Sequence, residues 1–253
     1  DYDRKLFTNL QNGMASKMEV KKSLKLLTRL LYAHYNKQVI ILLDEYDVPL
    51  AKAHERGYYE EMLDLMRGML QVLKDNDCLN FAVLTGCLRV SKESVFTGVN
   101  NFSTSSIISK NFNRYFGFTE KDVQQLLKDF GMSEQYSLVK EWYDGYMFGR
   151  TGIYNPWSVI NYFNNKCVPK AFWSRTSGNE IIGELFNSAD TTFADNLLRL
   201  LQGSTVQAIV DTDILYPEIN GDIDTIYSFL LVAGYLRVSE HIGSLYDLSL
   251  IHI

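Results

Sequence analysis

The run Val39-Ile40-Ile41-Leu42-Leu43 passes directly into Asp44-Glu45-Tyr46-Asp47. Consecutive apolar residues, β-branched at the front, predict a strand buried on both faces, as in parallel sheets covered by helices. Two adjacent carboxylates then stand at the carboxyl end of that strand, where open α/β sheets gather their ligands. An acid pair at a sheet edge is costly unless a cation or hydrogen bonds offset it. Two readings follow: the acids hold a ligand, or they cap the turn that comes next.

The chain has 253 residues, enough for one large domain or two small ones, and its 46% hydrophobic content suits a globular protein. A net charge of −5 argues against a broadly basic nucleic-acid surface, although a local patch is compatible with it. Cys78, Cys87 and Cys167 are odd in number, widely spaced and without a CxxC pair, which predicts reduced thiols in a cytoplasmic protein. His34, His54, His241 and His252 form no HxH or HExxH pair, so no zinc site is expected. No segment approaches the ~18 apolar residues of a membrane span, and no signal peptide is recognisable. The chain opens at Asp1 without an initiator Met and stops in Leu250-Ile251-His252-Ile253 without a turn or cap; both ends read as cut.

Val20, Leu24, Leu27, Leu31 and Tyr35 recur at helical spacing and predict one amphipathic helix from Lys17 to Tyr35, with that set facing inward. The strand Val39–Leu43 follows, then a polar loop from Asp47-Val48-Pro49 to Gly57, a helix over about Tyr58 to Lys74, and a second buried strand over Leu79 to Thr85. Strand, helix, strand is one βαβ unit, so the two strands should be parallel. Beyond Thr85 the pattern changes. A Ser/Thr/Asn/Gly-rich stretch with a short strand near 103–108 leads to a helix capped by Thr119, with Asp122 in its first turn and its end near Gly131. Another helix runs from Ser133 to about Asp144, a hairpin turns around Gly149-Arg150-Thr151-Gly152, and Asn155-Pro156 starts a further helix. From Ser177 onward the chain should be mostly helical, with a strand near 205–210, a helix over 222–234 and a closing hairpin of Tyr235–Glu240 and Ser244–Leu250. The expected fold is α/β: a parallel sheet with helices over residues 1–114, then a mostly helical and winged-helix-like region over 115–253.

A strand ending in Asp-Glu is the Walker B arrangement of P-loop ATPases, in which the Asp holds Mg²⁺ and the Glu polarises the attacking water. Mg²⁺ takes one or two carboxylates together with phosphate oxygens and waters, a role that suits Asp44; Asp47, before Val-Pro, reads instead as a turn residue. In a parallel sheet Thr85 would lie beside Asp44, where a hydroxyl can sense a γ-phosphate or merely satisfy loop backbone. Arg89 can reach phosphate oxygens or form a surface ion pair. A P-loop needs G-x-x-x-x-G-K-[ST], and no Gly-Lys dipeptide occurs in the chain, so these residues supply half an ATP site. The dense aromatic stretch Trp142–Gly149 with Tyr154-Asn155-Pro156-Trp157 can floor an adenine pocket or form a packed corner, and the residues alone favour the corner. Glu60, Glu61 and Asp64 read as a solvated helix face.

Taken together, VIILLDEYDVPL (39–50), GYYEEMLDLMRGML (57–70), FAVLTGCLRVSKESVFTGVNN (81–101), YFGFTEKDV (115–123), EWYDGYMFG (141–149), YNPWSV (154–159), FWSRTSGN (172–179) and LLVAGYL (230–236) resemble bacterial and archaeal AAA-ATPase-like proteins. Members of that family often carry a C-terminal PD-(D/E)XK nuclease domain, through which DNA would be a partner. The resemblance implies a P-loop NTPase core, here partial, followed by a helical lid and a winged-helix-like region. It implies ATP and Mg²⁺ as cofactors, Asp44 as the metal- and nucleotide-binding acid and Glu45 as the catalytic acid of the Walker B pair, Thr85 as the sensor on the neighbouring strand, and Pro156 as a lid proline near the base; Arg89 stands as a catalytic candidate only through its reach to phosphate. The Walker A segment and the nuclease are absent from these residues, and the segment around Glu19-Val20-Lys21 falls on a helix and is no nuclease motif.

Three functions compete. An Mg²⁺-dependent ATPase switch or motor, for which the resemblance allows a homo-oligomer, fits the acid edge and the resemblance. A non-hydrolysing protein- or DNA-interaction module fits the aromatic content and the missing Walker A. A metal phosphoesterase built on Asp44, Glu45 and Asp47 would need further ligands. Without a first strand and P-loop, the sheet should keep an unpaired edge and an exposed apolar face.

Overall fold

The computed structural model describes residues 2–88, 102–172, 191–214, 217 and 222–251. Arg89, the remainder of its motif to residue 101, nearly all of the 172–179 motif and the expected helical stretch 177–190 lie outside them. Chain contacts define two units: residues 1–103 with 213–218, and residues 104–212 with 219–253.

In the first unit α1 (Tyr2–Gln11) is followed by two helices where one was expected. Ser16 opens α2 (Lys17–Lys21) with a reciprocal cap: its hydroxyl accepts from the Glu19 amide, and the Glu19 carboxylate accepts from the Ser16 amide at 2.8 Å. The helix breaks at Lys22, whose amide folds back onto Glu19 O at 3.0 Å, and α3 (Ser23–Tyr35) starts afresh. The break lets α2 lie against α5 (Tyr59–Leu70), where Lys21 Nζ meets Asp64 at 2.7 Å. Lys21 holds the Asp64 carboxyl below its usual range, and the Lys21 stem leaves room only for glycine at Gly68, since a Cβ there would come within 2.4 Å of it. The inward face of α3 is carried by Leu26 and Thr28, whereas Leu27 and Tyr35 are exposed, contrary to the periodicity.

Strand β1 (Val39–Leu43) pairs in parallel with β2 (Leu79–Leu84), as the βαβ pattern requires. The expectation of burial on both faces fails. Ile40 and Leu42 are 48% and 73% exposed, and their cross-strand partners Phe81 and Val83 are 49% and 46% exposed. Alternation along each strand puts these four on one face, and the helical cover of the unit reaches only the other. The sheet has two strands among the described residues, and its face of Ile40, Leu42, Phe81 and Val83 is bare. The polar loop expected after β1 is instead the helix α4 (Val48–Glu55), with Pro49 in its first turn and Leu50 and Ala53 fully buried. After α5 a 3₁₀ turn (Gln71–Leu73) leads to β2.

The second unit has no strand at 103–108. There the Ser106 amide donates to Ser109 Oγ at 2.9 Å, and the Ser109 amide donates to Ser106 O at 2.9 Å; short polar side chains bonding their own backbone displace a ladder. β3 (Phe118–Thr119), β4 (Asp144–Phe148) and β5 (Thr151–Tyr154) form an antiparallel sheet in the order β3-β5-β4. Thr119 and Asp122 cap α6 (Glu120–Asp129) reciprocally. α7 (Tyr136–Tyr143) and α8 (Pro156–Asn164), the latter capped by Asn155, complete a core of Val123, Leu127, Val139, Tyr143, Tyr154, Val159 and Tyr162. The hairpin turns on Gly149 at φ 57°, where a Cβ would also strike Ser109 O at 2.5 Å. Then come α9 (Thr191–Leu201), β6 (Val206–Ile209), α10 (Ile223–Val232), β7 (Leu236–Ile242) and β8 (Leu245–Leu250). The last three strands are antiparallel in the order β6-β8-β7. No described helix is long and apolar enough to cross a membrane.

Candidate functional site

The parallel register pairs Leu43 with Leu84, so Asp44 and Thr85 leave the sheet side by side. The Thr85 amide donates to Leu43 O at 2.9 Å, and the Tyr46 amide donates back to Thr85 O at 3.0 Å. These bonds carry the pairing past the last strand residues. The Thr85 hydroxyl donates to Asp44 Oδ1, which also accepts the Glu45 amide at 3.1 Å. Asp44 and Glu45 are exposed. Glu45 sits at φ 52°, a left-handed conformation that side chains other than glycine adopt at a cost of about 1–2 kcal/mol. Backbone strain of this kind persists where surrounding contacts over-determine it.

Those contacts come from the next two residues. Tyr46 is buried and its hydroxyl donates to Leu88 O at 2.8 Å. Asp47 is 1% exposed, and its Oδ2 accepts the amides of Cys87 and Leu88 at 3.1 and 2.8 Å. A Cβ on Gly86 would meet Asp47 Oδ1 at 2.5 Å and the Tyr46 ring at 2.8 Å, so the backbone approach is closed to any larger residue. The Cys87 residue keeps accessible surface, yet protein packed around its thiol, reinforced by the Asp47 carboxylate, pushes the thiol up to about 12.

Asp47 therefore lies in the turn its sequence predicts, but buried and directed at backbone amides rather than toward Asp44 and Glu45. Among the described residues no three His, Cys, Asp or Glu side chains converge on a metal position. The phosphoesterase reading counted Asp47 with Asp44 and Glu45, whereas the Asp47 carboxylate is turned to the Cys87 and Leu88 amides. What the edge offers is hard oxygen donors, the exposed carboxylates of Asp44 and Glu45 with the Thr85 hydroxyl. Such a set fits Mg²⁺ only when phosphate oxygens and waters complete the octahedron.

The structure thus brings Asp44, Glu45 and Thr85 together, while Arg89 lies outside the described residues. Pro156 occupies the first turn of α8 in the second unit. Of the aromatic stretch, Tyr143 and Tyr154 join the buried core, Tyr143 packing edge to face on Tyr162 at 5.8 Å with its phenol pKa raised by burial, whereas Trp157 is exposed. Nothing in the local sequence marks Asp47 for this role, since the amides it holds lie on the loop after the partner strand.

A family model described as Predicted AAA-ATPase matches residues 2–96, a span that contains Asp44, Glu45, Thr85 and Arg89. Among curated proteins, the chain is 28% identical over 219 residues to a protein of Azotobacter chroococcum mcd 1 described as an uncharacterized protein in the vnfD 5′ region. The aligned stretch covers 85% of this chain and 40% of that protein, so the chain spans about two fifths of the relative's length. No solved structure matches.

Proposed function

We propose that this chain belongs to an Mg²⁺-dependent ATP-hydrolysing module of AAA type, in which the β1–β2 edge is the Walker B half of the nucleotide site. The observation that supports the reading most is the meeting of Asp44, Glu45 and Thr85 at the carboxyl ends of two parallel strands. The match of residues 2–96 to an AAA-ATPase model agrees with it.

Asp44 would hold the Mg²⁺, with Thr85 fixing the carboxylate's rotamer by a hydroxyl hydrogen bond. When bound there, Mg²⁺ would supply charge neutralisation at the phosphates. Glu45 accepts a proton from the attacking water or orients it toward the γ-phosphate. The phosphate cradle is supplied from outside these residues, because no Gly-Lys dipeptide occurs among them. The bare face of Ile40, Leu42, Phe81 and Val83 is where further layers of such a module would be laid.

The same bare face also supports a second reading, a non-hydrolysing interaction module that buries it against a protein partner. Titration calorimetry with ATP, with and without Mg²⁺, separates the two when run on this chain and on the full-length polypeptide that carries it. The ATPase reading predicts Mg²⁺-dependent binding to the full-length protein, lost on Asp44→Ala. Absence of binding by a folded full-length protein would sink it and leave the interaction module.

A further inference from the structure

Asp47 spends its carboxylate on backbone. The residue is 1% exposed, stands at the start of α4 without capping that helix, and directs one oxygen at two consecutive amides on the far side of the parallel pair. A charged acceptor makes such bonds shorter and stronger than a neutral one does. The same segment is gripped a second time, by the Tyr46 hydroxyl on Leu88 O. Gly86 permits the grip by having no side chain to hold the two segments apart. On one side of this clamp lies Thr85, whose hydroxyl is on Asp44; on the other lies Glu45, in a backbone conformation that is unfavourable unless held.

We propose that Asp47 is a positioning residue for the acid edge: its buried carboxylate, by holding the Cys87 and Leu88 amides, keeps Thr85 on Asp44 and keeps Glu45 in its left-handed conformation. Asp47 touches neither nucleotide nor metal and acts only through these neighbours. The kinetic part of the inference rests on the ATPase reading above; the clamp itself does not.

The experiment is hydrogen exchange and steady-state kinetics on the full-length protein carrying Asp47→Asn, which keeps the shape and one acceptor oxygen, with Asp47→Ala as the harsher variant. With the clamp loosened, the Cys87 and Leu88 amides exchange at least about 10-fold faster, while amides in the 3₁₀ turn and α5 are unchanged. In kinetics the turnover number falls by about 10- to 100-fold with the KM for ATP within about threefold, as a displaced rather than unfolded site predicts. Native exchange at Cys87 and Leu88 in the Ala variant, which has no acceptor oxygen, would overturn the clamp. Faster exchange with native turnover would overturn the positioning role. Should the unaltered protein itself fail to hydrolyse ATP, the ATPase reading and the kinetic claim fall together, and the exchange result still decides the clamp.

Discussion

The amide of Leu88 donates to the carboxylate of Asp47 across 2.8 Å and 41 positions of sequence. That bond joins the residues following one parallel strand to those following the other, at the end where Asp44, Glu45 and Thr85 meet. Behind the exposed Asp44 and Glu45, the linking residues Tyr46, Asp47 and Leu88 are buried.

Gly86→Ala should be among the more damaging single substitutions in the first unit. The added Cβ lands 2.5 Å from Asp47 Oδ1 and 2.8 Å from the Tyr46 ring, both on buried residues. Overpacking of this kind costs about 1–3 kcal/mol. Urea unfolding would register the loss as a lower midpoint with an unchanged slope; a midpoint equal to that of the native protein would mean the two segments can part freely.

Glu45→Gly is expected to do the opposite. Glycine adopts φ 52° without the Cβ conflict that Glu45 bears. Relief of that strain, less the greater freedom of glycine in the unfolded chain, leaves a gain of up to about 1 kcal/mol. A gain in stability accompanied by loss of hydrolysis would mark the strain as one retained for function. A loss of stability would show that the Glu45 side chain contributes contacts outweighing its backbone cost.

Much of this arrangement was readable beforehand. The apolar runs before Asp44 and Thr85 predict parallel strands, and Thr119 with Asp122 predicts a helix start; all appear where expected. These features are local, carried by periodicity and capping chemistry. The misreadings are tertiary. Asp47-Val48-Pro49 reads equally as a turn or a helix start, and the fully buried Leu50 and Ala53 decide for helix α4. Val39–Leu43 reads as doubly buried because apolar runs usually are, but exposure of Ile40 and Leu42 depends on what covers the sheet, which no local pattern records. Asp47 sits in a turn as its sequence context predicts, but its burial and its hold on the Cys87 and Leu88 amides were not legible, because those partners lie on another strand's loop.

Leu42→Lys tests the bare face. At 73% exposed, Leu42 contributes little to the core, so the unfolding free energy should change by no more than about 0.5 kcal/mol. Self-association of this chain, followed by sedimentation velocity, should shift to higher concentration, since a charge on an exposed strand opposes edge and face pairing. Strong destabilisation would mean that Leu42 is covered in solution.

Asp144→Asn tests the second unit through pH. Burial raises the Asp144 carboxyl above the usual range, against the opposing pull of Lys140 and Arg237. The native state therefore holds this proton more tightly than the unfolded chain does. The associated stability is present below the ordinary carboxylate pKa and is lost as pH rises through the elevated folded value. The Asn variant lacks that loss, so its stability relative to the native protein should increase from acid toward neutral pH. A difference between the two that does not vary with pH would contradict the assignment.

The most direct test of the central claim is hydrolysis of Mg²⁺-ATP by the full-length protein and its Glu45→Gln variant, with nucleotide binding measured on both. The account predicts that the variant binds ATP with native affinity and turns it over at least about 100-fold more slowly, because Glu45 acts on the attacking water and not on the bound nucleotide. Native turnover by the Glu45→Gln protein would contradict the account.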